Sequence, residues 1–179
     1  NIPFTKPNVQ LHLAAVTLQQ HSERQLRQRL KHLGFQEVIT YSFVDPAIES
    51  ILNRSNGLIA KALTNPMSSE QSVMRTSLLP GLIDAYKKNT VRQQDAGRLF
   101  EAGLVFKPVA GLEQHLAVGG ILWGRRDSEA WHSDNAAVDF FEVKGVVEEL
   151  GQWAGLELRF QPLEDSALHP GQSAGIYLG

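Results

Sequence analysis

The sequence predicts an α+β protein, an antiparallel sheet flanked by helices. Three observations lead there. Segments of alternating apolar residues are interspersed with segments whose apolar residues recur at helical spacing. Two strand-like segments, 98–106 and 115–123, are joined through Pro108 and Gly111 and read as a hairpin, which pairs antiparallel. The helical segments carry their apolar residues on one side, as helices laid on a sheet do. Together these favour α+β over a doubly wound parallel sheet.

The elements follow in order. Residues 1–20 hold Pro3, Pro7 and scattered polar groups and read as a linker from an upstream domain. Residues 21–179 read as one core module, cut off within a last strand. Ser22 and Gln25 have the spacing of a capping box, in which two side chains satisfy the amides at a helix start. Leu26, Leu30 and Leu33 follow at helical spacing, and Gly34 is placed as a stop. Residues 35–43 are rich in β-formers and read as a strand, closed by Asp45-Pro46. Residues 48–52 suggest a short helix, 64–69 a polar loop and 73–77 a short strand. Pro80 suits the first turn of a helix, where its missing N–H costs nothing. Leu79, Leu82, Ile83 and Tyr86 would form the apolar face of that helix. Asp139 and Glu142 open another, with Val143, Val146, Val147, Leu150 and Trp153 as its stripe and Gly155 beyond. Residues 156–160 and 174–178 are late strands.

Composition bounds the function. The chain has 179 residues, of which 42% are hydrophobic, an ordinary globular balance that excludes wholesale disorder. Lys plus Arg number 17 against 19 Asp plus Glu, a net charge of −2, so no general basic excess marks a nucleic-acid binder. There is no cysteine, which excludes disulfides, thiolate zinc sites and cysteine nucleophiles. No apolar run approaches the length of a membrane span. The first residues have neither the charged head nor the apolar middle of a signal peptide, and no initiating Met is present. The chain therefore reads as a piece of a longer protein, and the lack of cysteine fits a reducing compartment such as the cytoplasm. Charge is uneven: residues 85–107 carry +3 and residues 127–149 carry −6. Such a split suits steering or docking, or two solvated faces.

Chemical motifs are sparse. Residues 171–175 fit G-x-S-x-G, but a turn precedes Ser173 and a strand follows, the reverse of a nucleophile elbow. The segment reads as a turn entering a strand. No two of the six histidines have H-E-x-x-H spacing, and His132 with Asp134 makes no metal site alone. Asp127, Glu129 and Asp134 lack an EF-hand pattern and read as a solvated loop. Phosphate-cradling glycine loops are absent.

One ordered set of motifs carries a specific likeness. It runs from Leu33-Gly34-Phe35 through Thr40-Tyr41-Ser42-Phe43, then Asn65-Pro66-Met67-Ser68 and Met74-Arg75-Thr76-Ser77-Leu78-Leu79-Pro80-Gly81. Asn89-x-x-Arg92, Leu99-Phe100-Glu101-x-Gly103 and Asp139-Phe140-Phe141-x-x-Lys144-Gly145 follow, and Leu168-His169-Pro170-Gly171 comes last. This resembles the β subunit of bacterial phenylalanyl-tRNA synthetase over nearly all the chain. The resemblance implies a class II aminoacyl-tRNA synthetase-like catalytic-core fold that has lost its chemistry. It implies no catalytic, cofactor-binding or metal residue in this chain. ATP and magnesium would belong to the parent complex, a heterotetramer of α and β subunits charging tRNA(Phe) with phenylalanine. The partners implied are the α subunit, other β-subunit domains and tRNA(Phe). In the resemblance, Glu101 falls where class II enzymes carry the arginine that holds the ATP phosphate, and a carboxylate there would repel a triphosphate.

Arg75, Tyr86, Lys87, Lys88, Asn89 and Arg92 are the candidate interface or tRNA contacts. For Arg75 a phosphate ligand and a structural ion pair both remain open. For Asn89 and Arg92 a helix-end cap competes with an interface role. Three functions fit: a docking module, an ATP-binding synthetase-like ligase, and an auxiliary tRNA surface. The last would use Lys87, Lys88, Arg92, Arg98 and Lys107, with steep salt dependence.

Overall fold

The computed structural model describes residues 15–52, 57–109, 111–127, 130–131 and 136–179. Among them are helices α1 (Leu18–His32), α2 (Pro46–Leu52), α3 (Leu79–Val91) and α4 (Phe140–Ala154). The strands are β1 (Gln36–Glu37), β2 (Phe43–Val44), β3 (Val73–Met74), β4 (Gly97–Lys107), β5 (Glu113–Trp123), β6 (Leu158–Pro162) and β7 (Ala174–Leu178). A 3-10 turn, Ser69–Gln71, precedes β3. His12, Glu129, His132 and Asp134 lie outside the described residues.

Helix α1 begins four residues before the expected Ser22 cap. The capping box is formed by Thr17 and Gln20, which have the same T-x-x-Q logic: the Gln20 amide donates to Thr17 Oγ1 at 3.2 Å, and the Thr17 amide to Gln20 Oε1 at 3.1 Å. Residues 18–20, expected in a linker, thus form the first turn of α1, while residues 1–14 lie outside the described part. Arg27 then fastens α1 to the sheet. Its Nε donates to Glu37 Oε1 at 2.6 Å and its Nη2 to the Ala102 carbonyl at 2.8 Å, with Glu23 as a third partner. Burial alone would push the Glu37 carboxyl up, but hydrogen bonds from Arg27 and Lys31 outweigh it and hold the carboxyl below its ordinary range.

The expected hairpin is β4 and β5, paired antiparallel from Gly97↔Trp123 to Lys107↔Glu113. The sheet is nevertheless mixed and not wholly antiparallel. β1 pairs parallel to β4, with Gln36 opposite Leu99 and Glu37 opposite Phe100. A parallel pair needs a long crossover, and the chain between β1 and β4, which includes α2 and α3, supplies it. The strand expected over 35–43 is interrupted: only its two ends enter ladders, β1 on β4 and β2 on β3. β6 and β7 form a separate antiparallel pair.

Strand β4 is the spine, and both of its faces are covered. Leu99 and Val105 pack against Leu78 and Leu82 at the start of α3, with Val38, Ala85, Ala117 and Ile121 around them. Phe100 points the other way and packs with Leu30 and Phe35, bordered by Val146 and Leu150 of α4. Leu82 and Phe100 have no exposed surface. The inward positions of α3 are therefore 82 and 85, preceded by Leu78, whereas Leu79 of the expected stripe is 39% exposed. Tyr86 instead meets the Trp123 ring edge-on at 5.3 Å.

Helix α4 forms as its caps predict. The Asp139 carboxylate accepts from the amides of Phe141 and Glu142 at 2.8 and 3.1 Å. Gly155, at φ 68°, ends the helix in the left-handed conformation that glycine tolerates best. Val146 and Leu150 of the expected stripe face the core. Val143 is half exposed, and Trp153 lies beneath the Arg29 guanidinium at 5.6 Å. Ser173 donates its hydroxyl to the Leu163 and His169 carbonyls, a turn fastening at the entry to β7.

Candidate functional site

Residues 38–42, between β1 and β2, join no ladder strand. Their side chains alternate. Ile39 is 93% exposed and Tyr41 is 75% exposed, and Phe43 beyond them is partly open. Val38, Thr40 and Ser42, the more polar set, are the less exposed one. This inverts the usual orientation, in which a strand turns its apolar face inward. Contiguous exposed apolar side chains mark an interaction surface more often than a solvated one.

The inversion has a cause inside the molecule. Thr40 faces a buried ion pair, Arg75 with Glu101, whose side chains are 4% and 3% exposed. Arg75 Nη1 donates to Glu101 Oε1 at 2.8 Å and to Thr40 Oγ1 at 3.0 Å, and its Nε donates to the Leu104 carbonyl at 2.9 Å. The Thr40 hydroxyl donates in turn to Glu101 Oε2 at 2.6 Å. Each charge is thus satisfied, which is the condition for burying it. Two glycines make the room. A Cβ at Gly103 would lie 2.6 Å from Arg75 Nη2, and one at Gly81 would lie 2.1 Å from Thr40 Oγ1. Glu49 is also buried and accepts from the Thr76 amide at 3.0 Å and from the Thr76 hydroxyl.

Segment 38–45, α2 and α3 border a cleft of about 890 Å³. Ile39, Tyr41, Phe43 and Ile48 supply its apolar wall. Of the six sequence candidates, Lys88, Asn89 and Arg92 line it. Lys88 is paired with Asp84 at 2.7 Å in an exposed i,i+4 bridge, a contact of small energetic weight. Asn89 donates its side-chain amide to the Ala85 carbonyl at 2.8 Å, and its own carbonyl accepts from Arg92. Asn89 thus helps to close the end of α3, beside the cleft. Asp45, Glu70 and Asp84 share the lining with the two cations, so the cleft is not a basic patch. Lys87 and Tyr86 are not in the lining; Lys87 is exposed on α3, and Tyr86 is turned to Trp123.

Arg75 is placed differently from the other candidates. At 3% exposure it is no surface contact, and its guanidinium is committed to Glu101, Thr40 and Leu104. Of the two readings of Arg75, the structure shows the ion pair. Glu101 is buried and paired with Arg75. Sequence reasoning missed Ile39, Thr40 and Tyr41 as site residues. Their alternation was legible, but it points the apolar set inward unless the Arg75–Glu101 pair is known to lie beneath.

The arrangement of sheet and helices is that of an aminoacyl-tRNA synthetase-like fold. A solved pyrrolysyl tRNA synthetase from Desulfitobacterium hafniense superposes over 82% of this chain and 50% of its own, with a TM-score of 0.58 at 14% identity. The chain belongs to the family described as the phenylalanyl tRNA synthetase beta chain CLM domain, which matches residues 2–179. It is 43% identical to the phenylalanine–tRNA ligase beta subunit of Photorhabdus laumondii over 92% of this chain. It is 40% identical to that of Pseudomonas fluorescens over 98%. The chain spans 22% of the length of these relatives. Among the described residues, no helix is long and apolar enough to cross a membrane.

Proposed function

We propose that this chain is the non-catalytic core module of a phenylalanyl-tRNA synthetase β subunit and supports assembly with the α subunit. The assembly would be a cytoplasmic heterotetramer that charges tRNA(Phe) with phenylalanine at the expense of ATP. The observation that carries the reading is the outward apolar edge at Ile39, Tyr41 and Phe43, beside a cleft whose charges are mixed. Hydrophobic burial at such an edge is the dominant drive for protein association. Mixed rim charges favour selection of one partner over a general attraction to polyanions.

ATP and magnesium are assigned to the parent complex. The residues of this chain fit them poorly: the position that the resemblance gives to the phosphate-holding arginine is Glu101, sealed in an ion pair. Arg75, its partner, has Nε and Nη1 engaged within the core.

The test is association of the α subunit with the full-length β subunit carrying Ile39→Asp. A charge at a position 93% exposed leaves the fold intact. Association weakened by about a hundredfold or more, with thermal stability unchanged, is the expected result, since a central apolar anchor replaced by a charge is a hot-spot loss. Undiminished association removes the edge as the docking surface.

A further inference from the structure

Residues 38–42 hold an exposed apolar edge in a fixed place without a neighbouring ladder strand to hold it. Their backbone has three anchors. The Val38 amide donates to the Phe100 carbonyl at 2.8 Å, and the Ser42 carbonyl accepts from the Arg75 amide at 3.0 Å. Between these, the only residue whose side chain and amide are both bound inward is Thr40. Its amide donates to Glu101 Oε1 at 3.3 Å and its hydroxyl to Glu101 Oε2 at 2.6 Å. Ile39 and Tyr41 flank Thr40 directly, so fixing Thr40 fixes the two residues that project outward.

We infer that Thr40, held by the Arg75–Glu101 pair, is a positioning residue that sets the docking edge in its binding conformation before the partner arrives. The inference rests on the docking reading above and adds to it a device. A segment ordered in advance loses less freedom on association and so binds more tightly with the same contacts. The placement of Gly81 and Gly103 supports the assignment independently. Each lies where a side chain would strike Thr40 or Arg75, so β4 and α3 are both shaped around this network. A buried ion pair is weak support for stability and is better suited to fixing one arrangement among several. Here the arrangement it fixes is the one that exposes Ile39 and Tyr41.

The full-length β subunit with Thr40→Val, Thr40→Ser and Leu30→Ala tests this. Valine keeps the shape of threonine and removes the hydroxyl; serine restores the hydroxyl. Leu30→Ala weakens the core in the cluster with Phe35 and Phe100, which includes none of residues 38–42. Two quantities are measured: the dissociation constant for the α subunit, by sedimentation over a concentration series, and amide exchange of residues 38–42 in the free subunit. Thr40→Val is expected to raise the dissociation constant by about tenfold and to speed that exchange, as loss of pre-ordering requires. Thr40→Ser stays within about twofold of the wild type on the same argument, and Leu30→Ala lowers the melting temperature without changing association. Glu101→Gln, which strikes the network from the other side, should repeat the Thr40→Val result where it folds. The inference is overturned if Thr40→Val binds as the wild type does. It is equally overturned if Leu30→Ala loses association in step with Thr40→Val, since the effect is then general stability. A wild-type subunit whose association is indifferent to Ile39→Asp overturns the docking reading itself, which distinguishes the two failures.

Discussion

Replacing Arg75 with methionine leaves Glu101 charged in a site where it is 2% exposed. Breaking one half of a buried pair costs about 3–5 kcal/mol, most of it the desolvation of the partner left behind. Removing both halves, as Arg75→Met with Glu101→Leu, recovers most of that loss, because no buried charge remains. Urea midpoints of the two single variants and the double variant measure this, and a double variant as unstable as the sum of the singles would contradict it. The pair was only half legible in the sequence. The flanks of Arg75 suggested a structural role, yet its partner lies 26 residues away on β4, and long-range pairing leaves no local mark. Pro80, Asp139 and Gly155 were read correctly because caps and helix starts are decided within a few residues.

At the scale of elements, α1 is tied to β1 by the Arg27–Glu37 contact, with Lys31 beside it at 3.1 Å. Because the folded carboxyl lies below its ordinary value of 4.5, its contribution is fully present above that pH and is lost as the pH falls through the lowered value. The stability difference between the wild type and Glu37→Gln is therefore largest above about pH 4.5 and shrinks on acidification. A difference that grows toward low pH would contradict the pairing. The hairpin, α3 and α4 were legible from periodicity and punctuation. The interruption at 38–42 was not, since its β-formers are those of a true strand and only β4 decides where pairing stops. The early start of α1 was missed for a related reason. Thr17-x-x-Gln20 and Ser22-x-x-Gln25 are similar signals, and the one farther from the leucine stripe prevails.

For the whole molecule, two buried carboxylates brace the chain before α3, and the central strand is closed on both faces. The edge at 38–43, with the cleft beside it, is one of several exposed apolar places among the described residues; Met67, Phe141 and Leu178 mark others. The family and the broad α+β class were legible because the ordered motifs span the chain. The docking edge was not, because an apolar residue that meets the core and one that meets a partner look alike in sequence. The most direct measurement is amide hydrogen exchange of the full-length β subunit, free and bound to the α subunit, followed peptide by peptide. Protection on binding should concentrate in residues 38–48 and the facing side of α3. Protection confined to other parts of the subunit, with 38–48 exchanging as in the free protein, would contradict the account.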